Sequence, residues 1–461
     1  MNHASPSELA EIPALPKVSI FQRLKELTLR DTNVVVASVI LTNFLRALSS
    51  VILTRLLVPE VFGIAGIIGS VIFTFGMVSD LGFQAFVVRH PDGDKPRFLD
   101  TIWTMQVARS VILTLAVLAT APAVAALFGK QELEAVIAAS AFTFVLEGVA
   151  SLSLLTALRH RMILRLSVLE LATLAFQIAV SVVLAYYWRN YWAILVSMLA
   201  SNAFKSALSY AVFPHSFRKP AFDRTYINDL WKFARFVTGS SIITLLLLQT
   251  DKLVLARLMP LDHFGFYMLA ANLATAPLAF TSAYASRVLF PYYSHSWRDG
   301  LPDLKELFYA KRRLASLLYC FAAGGLIGSA PLIVDILYDP RYATAATYLQ
   351  IMSISSLFAL ASNASNEALT ATGYIRVTFQ ANIVKFVGFA ILGSVGYALW
   401  GIIGLVLAVG LMEIPPLLFK WFQLRRSGLL DMRQELLFLA AGIPGMAIGA
   451  AGSWLIIPLI A

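Results

Sequence analysis

Long apolar runs separated by short polar turns make up the chain from residue 33 onward. A spanning helix needs roughly 20 mainly apolar residues. Runs of that kind lie at Asn33–Leu57, Phe62–Phe83, Trp103–Phe128, Glu134–Leu158, Leu166–Trp188 and Tyr191–Phe213. A polar, proline-containing link follows, Pro214 to Lys232. The second set lies at Phe233–Met259, Phe264–Val288, Leu314–Leu337, Ala343–Gly373, Val377–Tyr397 and Trp400–Phe422, and Leu436–Ile460 closes the chain. The pattern predicts an all-α polytopic membrane protein of roughly 13 spans, six plus six plus one.

Part of the first hairpin recurs. Arg55-Leu56 is followed by Phe62-Gly63 after a Pro-bearing turn, and Arg257-Leu258 is followed by Phe264-Gly265 at the same spacing. Each copy heads one set of six. An even number of spans before the second copy gives both the same orientation, so the halves are expected to be parallel repeats. The expected divisions are a tail at 1–32, an N-terminal lobe at 33–213, a link at 214–232, a C-terminal lobe at 233–422, and a loop with an extra span at 423–461. Ile20, Phe21, Leu24 and Leu27 fall on one side of a helix within Val18–Arg30, which predicts an interfacial helix. Leu304, Leu307 and Phe308 predict another lying along the surface between Leu301 and Arg313.

Charge tests this layout. With the N-terminus inside, about 26 of the 36 Lys and Arg fall on the cytoplasmic side, and only Arg55, Lys130, Arg189, Arg257 and Arg341 face the other. The net charge of +10 is therefore a topology signal, and no nucleic-acid partner is expected. Of 461 residues, 59% are hydrophobic and 13% charged, with a mean hydropathy of +0.75. That charged share is about half the roughly 25% of soluble proteins. The N-terminal run is expected to stay as the first span rather than act as a cleaved signal. The single cysteine, Cys320, allows neither a disulfide framework nor a Cys-based metal site. No Walker A, GxSxG or HExxH sequence occurs, no spaced Asp pair suits metal-dependent sugar transfer, and the histidines form no ligand set. No cofactor, metal or enzymatic activity is expected.

Ionisable groups at membrane depth are costly and face a bundle interior or a hydrated path. Arg46 lies mid-span in the first helix, Arg109 in the third, Lys205 in the sixth, Asp251-Lys252 in the seventh and Lys385 in the eleventh. The acids at that depth are Asp80, Glu147, Asp251, Glu367 and Glu413. Arg109, Lys205 and Glu413 are equally compatible with snorkelling to an interface. The tenth span carries Gln350, Ser353, Ser356, Asn363 and Glu367 on one helical stripe, which suits the wall of a hydrated cavity; packing between helices is the alternative for each Ser and Asn. Arg46 and Lys385, with Lys252 and Arg109, are candidates for neutralising an anionic head group such as phosphate. Pro277 marks a candidate bend. Gly63, Gly66 and Gly69 suit close helix packing.

The segments TRLLVPEVFG, SDLGFQAFVVR, ALRHRMILRLSVLE, TDKLVLARLMPLDHFGFYMLAANLATAP and SRVLFPYYS resemble the polysaccharide-transporter branch of the multidrug/oligosaccharidyl-lipid/polysaccharide exporter superfamily, and within it the Wzx-type flippases. The resemblance implies two six-helix lobes around a central cavity with alternating access. It implies transfer of an oligosaccharide repeat unit on undecaprenyl pyrophosphate across the bacterial plasma membrane, for exopolysaccharide or lipopolysaccharide assembly. Coupling to H+ or Na+ is implied too, with membrane lipid and polysaccharide polymerase and chain-length proteins as partners. Arg46 matches the family's mid-span Arg and Asp251 its seventh-helix Asp; Lys252 and Lys385 match its cavity bases loosely. Asp251, Glu367 and Asp80 are the candidate ion-coupling acids, and Gln350, Ser353 and Asn363 the candidate sugar contacts. The rival expectation is a small-molecule exporter of the same superfamily, which calls for an acid-dominated cavity. Many relatives have fourteen spans, whereas this chain has room for about thirteen.

Overall fold

A computed structural model describes residues 31–213, 216–300 and 303–460, and every regular element among them is helical. The interfacial helix expected at Val18–Arg30 lies outside the described residues. The helices are α1 (Asp31–Leu56), α2 (Pro59–Val78), α3 (Phe83–Arg89), α4 (Pro96–Phe128), α5 (Glu134–Ser140), α6 (Phe142–Gly148), α7 (Ser153–Arg159), α8 (Ile163–Trp188), α9 (Trp192–Val212), α10 (Arg224–Leu258), α11 (Leu261–Tyr284), α12 (Phe290–Arg298), α13 (Leu304–Leu337), α14 (Thr344–Ala371), α15 (Arg376–Leu411), α16 (Ile414–Arg426), α17 (Met432–Ala440) and α18 (Gly442–Ile460). Helices dominate because hydrocarbon offers backbone groups no partner, and a helix satisfies them within its own segment.

Among the described residues, nine helical stretches are long and apolar enough to cross a membrane, or ten if 131–148 and 153–159, bent by 55°, form one span. Three features account for the interval between ten and the thirteen expected. Helices α9 and α10 are long but too polar to qualify. In addition, α15 is not straight: Gly401 sits at φ 59°, ψ −137°, and Gly396 and Gly404 then face each other backbone to backbone. The chain therefore folds back at Gly401, a conformation that a residue with a Cβ rarely adopts.

The repeated hairpins meet at the centre. A Cβ on Gly63 would strike the carbonyl oxygen of Leu261, and one on Gly265 would strike that of Pro59. These contacts are reciprocal, as a pseudo-two-fold relation between two copies requires. Only glycine allows backbones to approach this closely. Gly66 packs against Met268 and Phe264, whereas Gly69 meets nothing. The largest buried cluster joins α2, α4 and α11 to α14 here, through Ile64, Ile67, Val117, Phe264, Tyr267 and Tyr348.

Crossed hydrogen bonds close the same end of the molecule. Tyr342, in the α13–α14 turn, donates its hydroxyl to the Leu57 carbonyl at the end of α1, 2.8 Å away. Lys130, in the α4–α5 turn, donates to the Ala256 and Met259 carbonyls at the end of α10, at 2.6 and 3.1 Å. Each lobe thus caps the first helix of the other, satisfying carbonyls left free where a helix stops.

Two segments depart from the sequence reading. The stretch expected along the surface before Arg313 is the first turns of α13: Phe308 is buried, and Arg312 is wholly buried against Glu435. Helix α10 starts at Arg224, inside the expected link, where the Asp223 side chain accepts the Thr225 N–H as an N-cap. The last span packs on α13 through small residues, with Gly324, Gly328, Gly442, Gly445 and Gly449 allowing backbone contact. Elsewhere the outer surface is apolar, as lipid demands; Ile383, Val387, Ile391 and Val395 form one exposed stripe on α15.

Candidate functional site

The inter-lobe seam is built by the face of α10 that carries Ser241, Leu245, Gln249, Lys252 and Ala256 at steps of three and four. Ser70 of α2 donates to Gln249 Oε1 across the seam at 3.3 Å. Lys252 lies on this face, half-buried. Its ammonium donates to the Leu248 carbonyl of its own helix at 2.9 Å and has no counter-ion among the described residues. On α1, Arg46 lies one turn from Ser50, whose hydroxyl approaches Tyr338 of the other lobe at 3.4 Å. Arg46 is exposed and has no hydrogen bond or ion pair among the described residues. Both cations lie within spans and have no counter-ion among the described residues, Lys252 on the seam face of α10 and Arg46 one turn from the Ser50 contact.

Lys385 is different. Its ammonium lies 2.5 Å from Glu413 Oε1, and both side chains are mostly buried. Lys420, only 7% exposed, donates to the Ser362 hydroxyl and carbonyl at 2.9 and 3.2 Å, with Glu413 and Glu367 as its acidic neighbours. The charges in this half of lobe 2 compensate one another. Sequence reasoning placed Lys420 in a basic loop and missed it; a Lys two turns into an apolar run was the signal. Asp251 points away from Lys252, as neighbours about 100° apart on a helix must. It accepts the Tyr267 hydroxyl at 2.5 Å and shares a narrow crevice with Lys385.

The polar stripe of α14 lies inside lobe 2, packed among α11, α13, α15 and α16. Ser353 and Ser356 are completely buried, Ser353 with no hydrogen-bond partner among the described residues and Ser356 beside the Tyr319 hydroxyl. Asn363 donates to Thr281 on α11 at 2.9 Å. Gln350 faces an open groove with Gly328, Ser453 and Trp454 against the last span, away from the seam.

In lobe 1, Arg109 caps the end of α2, donating to the Gly76 and Ser79 carbonyls and the Ser79 hydroxyl at 2.7–2.9 Å. Asp80 accepts the Gly82 N–H at 2.9 Å and the Ser241 hydroxyl of α10 at 2.8 Å. Arg109 thus ties the end of α2 to α4, and Asp80 ties the loop after it to α10 of lobe 2.

The fourth span of lobe 1 is interrupted between α6 and α7. Its freed backbone groups find side-chain partners: Gln106 donates to the Gly148 carbonyl at 2.9 Å, Tyr210 to the Val149 carbonyl at 2.7 Å, and Ser209 accepts the Ser151 N–H at 2.9 Å. A cavity of about 680 Å³ opens beside the interruption, lined by Asp80, Gln84, Gln106, Arg109, Glu147 and Phe144, among others. Glu147 lines it, with Lys205 and Arg109 as its cationic neighbours and no hydrogen bond or close ion pair among the described residues. Sequence reasoning noted Glu147 but did not choose it. The small polar run Gly148–Ser153 within an apolar span was the legible sign of a break.

The profile of a family described as polysaccharide biosynthesis proteins matches residues 52–347. The chain belongs to this family. It is 21% identical over 375 residues to the lipopolysaccharide biosynthesis protein WzxC of Escherichia coli K12, covering 80% of this chain and 75% of that one. Identity to the teichuronic acid biosynthesis protein TuaB of Bacillus subtilis 168 is 19% over 323 residues, covering 69% and 66%. The match therefore spans about two thirds to three quarters of these relatives' lengths. Among solved structures, the lipid II flippase MurJ in an inward closed conformation superposes with a TM-score of 0.68 at 11% identity, covering 92% of this chain and 99% of MurJ. That likeness establishes a shared fold of two helical lobes.

Proposed function

We propose that this membrane protein is a flippase that moves undecaprenyl-pyrophosphate-linked oligosaccharide from the cytoplasmic to the outer leaflet of a bacterial plasma membrane. Such transport makes and breaks no covalent bond. The observation that carries it is the pair Arg46 and Lys252, two in-span cations at or within a turn of inter-lobe contacts and without counter-ions among the described residues, in a molecule that neutralises Lys385 and Arg312 internally. An uncompensated cation at this depth is costly unless a ligand completes it, and pyrophosphate is the matching anion. Family membership and the MurJ-like fold support the same reading.

In this mechanism the N-terminus is cytoplasmic, as the distribution of Lys and Arg supports, so the end closed by Gly63, Gly265, Tyr342 and Lys130 faces outward. The pyrophosphate enters from the basic side and binds Arg46 and Lys252 while the lipid tail stays in the bilayer. Rocking of the lobes then breaks the crossed caps and opens the outer side. H+ or Na+ uptake at a lobe-2 acid, Asp251 or Glu367, biases the two states. Polysaccharide polymerase and chain-length proteins would receive the product.

The test uses a strain lacking the protein. The expected result is accumulation of a completed lipid-linked repeat unit confined to the inner leaflet, restored to export by the wild type and not by stably inserted Arg46→Gln/Lys252→Gln. A normal lipid pool with altered drug tolerance would favour small-molecule export instead.

A further inference from the structure

The structure assigns a second subsite for the same substrate: the cavity beside the interrupted fourth span of lobe 1 binds the sugar portion of the lipid-linked oligosaccharide through Glu147, Gln84 and Gln106. The assignment rests on the flippase reading and adds to it the place where sugar identity is read.

Three observations carry it. The first is the interruption itself. Breaking a helix at membrane depth frees backbone polar groups, and such breaks persist where they line a cavity or binding site. Here Gln106, Ser209 and Tyr210 hold the break open with dedicated hydrogen bonds. The second is size. A volume of about 680 Å³ falls in the range of ligand sites.

The third is the chemistry of the free valences. Arg109 is bonded through Nε and Nη2 to the end of α2, and Asp80 is taken up by Gly82 and Ser241. Without a hydrogen bond among the described residues are the carboxylate of Glu147, whose cationic neighbours are Lys205 and Arg109, the amide of Gln84 and the carbonyl oxygen of Gln106, against an apolar wall of Phe83, Leu113 and Phe144. Acceptors beside a single guanidinium, most of it already bonded to the end of α2, disfavour pyrophosphate. They suit a neutral ligand rich in hydroxyl donors, which is the chemistry of a sugar.

Position agrees. Val237 of α10 forms part of the cavity wall, on the helix that carries Lys252. The fifteen residues between them span about 22 Å at 1.5 Å per residue. That is the reach of an oligosaccharide attached to a pyrophosphate held at Lys252, and more than one sugar ring covers.

The experiment measures binding to the full chain in lipid nanodiscs with two probes: undecaprenyl pyrophosphate, and the lipid-linked oligosaccharide extracted from the deletion strain. Wild type is expected to bind the sugar-bearing lipid more tightly. Glu147→Gln and Gln84→Ala should each weaken that binding about ten-fold, the scale of a lost hydrogen bond to a charged group or amide, and leave undecaprenyl pyrophosphate unaffected. Lys252→Gln should weaken both probes. If neither probe binds wild type, the flippase reading falls and the subsite with it. If both bind and the cavity variants change neither, or change both equally, the subsite alone is refuted. Thermal unfolding of each variant separates loss of contact from loss of fold.

Discussion

The fourth spans of the two lobes occupy equivalent places in the repeat and solve the membrane's demands in opposite ways. In lobe 1 the span breaks between α6 and α7, and side chains from α4 and α9 take up the freed backbone groups. In lobe 2, α14 runs unbroken from Thr344 to Ala371, and its serines are buried against neighbouring helices. A cavity with a free acid lies beside the broken span, whereas compensated ion pairs surround the unbroken one. The two similar frames thus differ: one holds compensated charges and the other a cavity. A polar residue in a span is thus no guide to function until its partner is known.

Substitutions can break this contrast at several points. The largest effect is expected at Arg312, which stacks on Phe308, Tyr309 and Phe438 and pairs with the wholly buried Glu435. Arg312→Leu leaves that carboxylate without its cation and should cost about 3–5 kcal/mol. Arg312→Leu/Glu435→Met should recover most of the loss, read as unfolding temperature in detergent. A double variant as unstable as the single would show that the pair is more than a removable structural contact.

Next comes the break. Gln106→Leu strips the Gly148 carbonyl of its donor and should destabilise lobe 1 by about 1–3 kcal/mol. The counterpart in lobe 2 is Ser353→Ala. That hydroxyl is fully buried with no partner among the described residues, so its removal should lose nothing and stabilise lobe 2, by up to about 1–3 kcal/mol. Comparable losses at both sites would erase the distinction drawn between the spans.

The smallest effect concerns the loop between α3 and α4. A hydrogen bond from Lys95, opposed by desolvation and aided by one from Tyr226 of α10, holds the Asp92 carboxyl below its ordinary value of 3.8. A group with a depressed folded pKa stabilises fully above its unfolded pKa and loses that contribution as pH falls through the folded one. Hydrogen exchange at residues 90–95 should therefore rise only below about pH 4, and Asp92→Asn should show the faster exchange already at neutral pH. Unchanged exchange on acidification would mean that Asp92 does not tie this loop to α10.

How much was legible differs between fold and site for one reason. Helical membrane spans are local objects: hydrocarbon forces the backbone to bond within its own segment. The apolar runs, the repeated Arg-Leu/Phe-Gly hairpin and the basic clusters were therefore readable along the chain. The glycines of that hairpin were readable too, although only packing revealed that Gly63 and Gly265 meet each other's strand of backbone reciprocally. Charge at depth was readable as charge, and Arg46, Lys252 and Lys385 looked alike.

What separated them was a partner elsewhere in the chain. Glu413 neutralises Lys385 from 28 residues away, Glu435 meets Arg312 from 123 away, and Gln106 reaches the Gly148 carbonyl from 42 away. By itself the sequence determined where the helices run and how the two halves correspond. The tertiary structure decided which polar groups are engaged and which stay free, because that depends on which faces of distant helices meet.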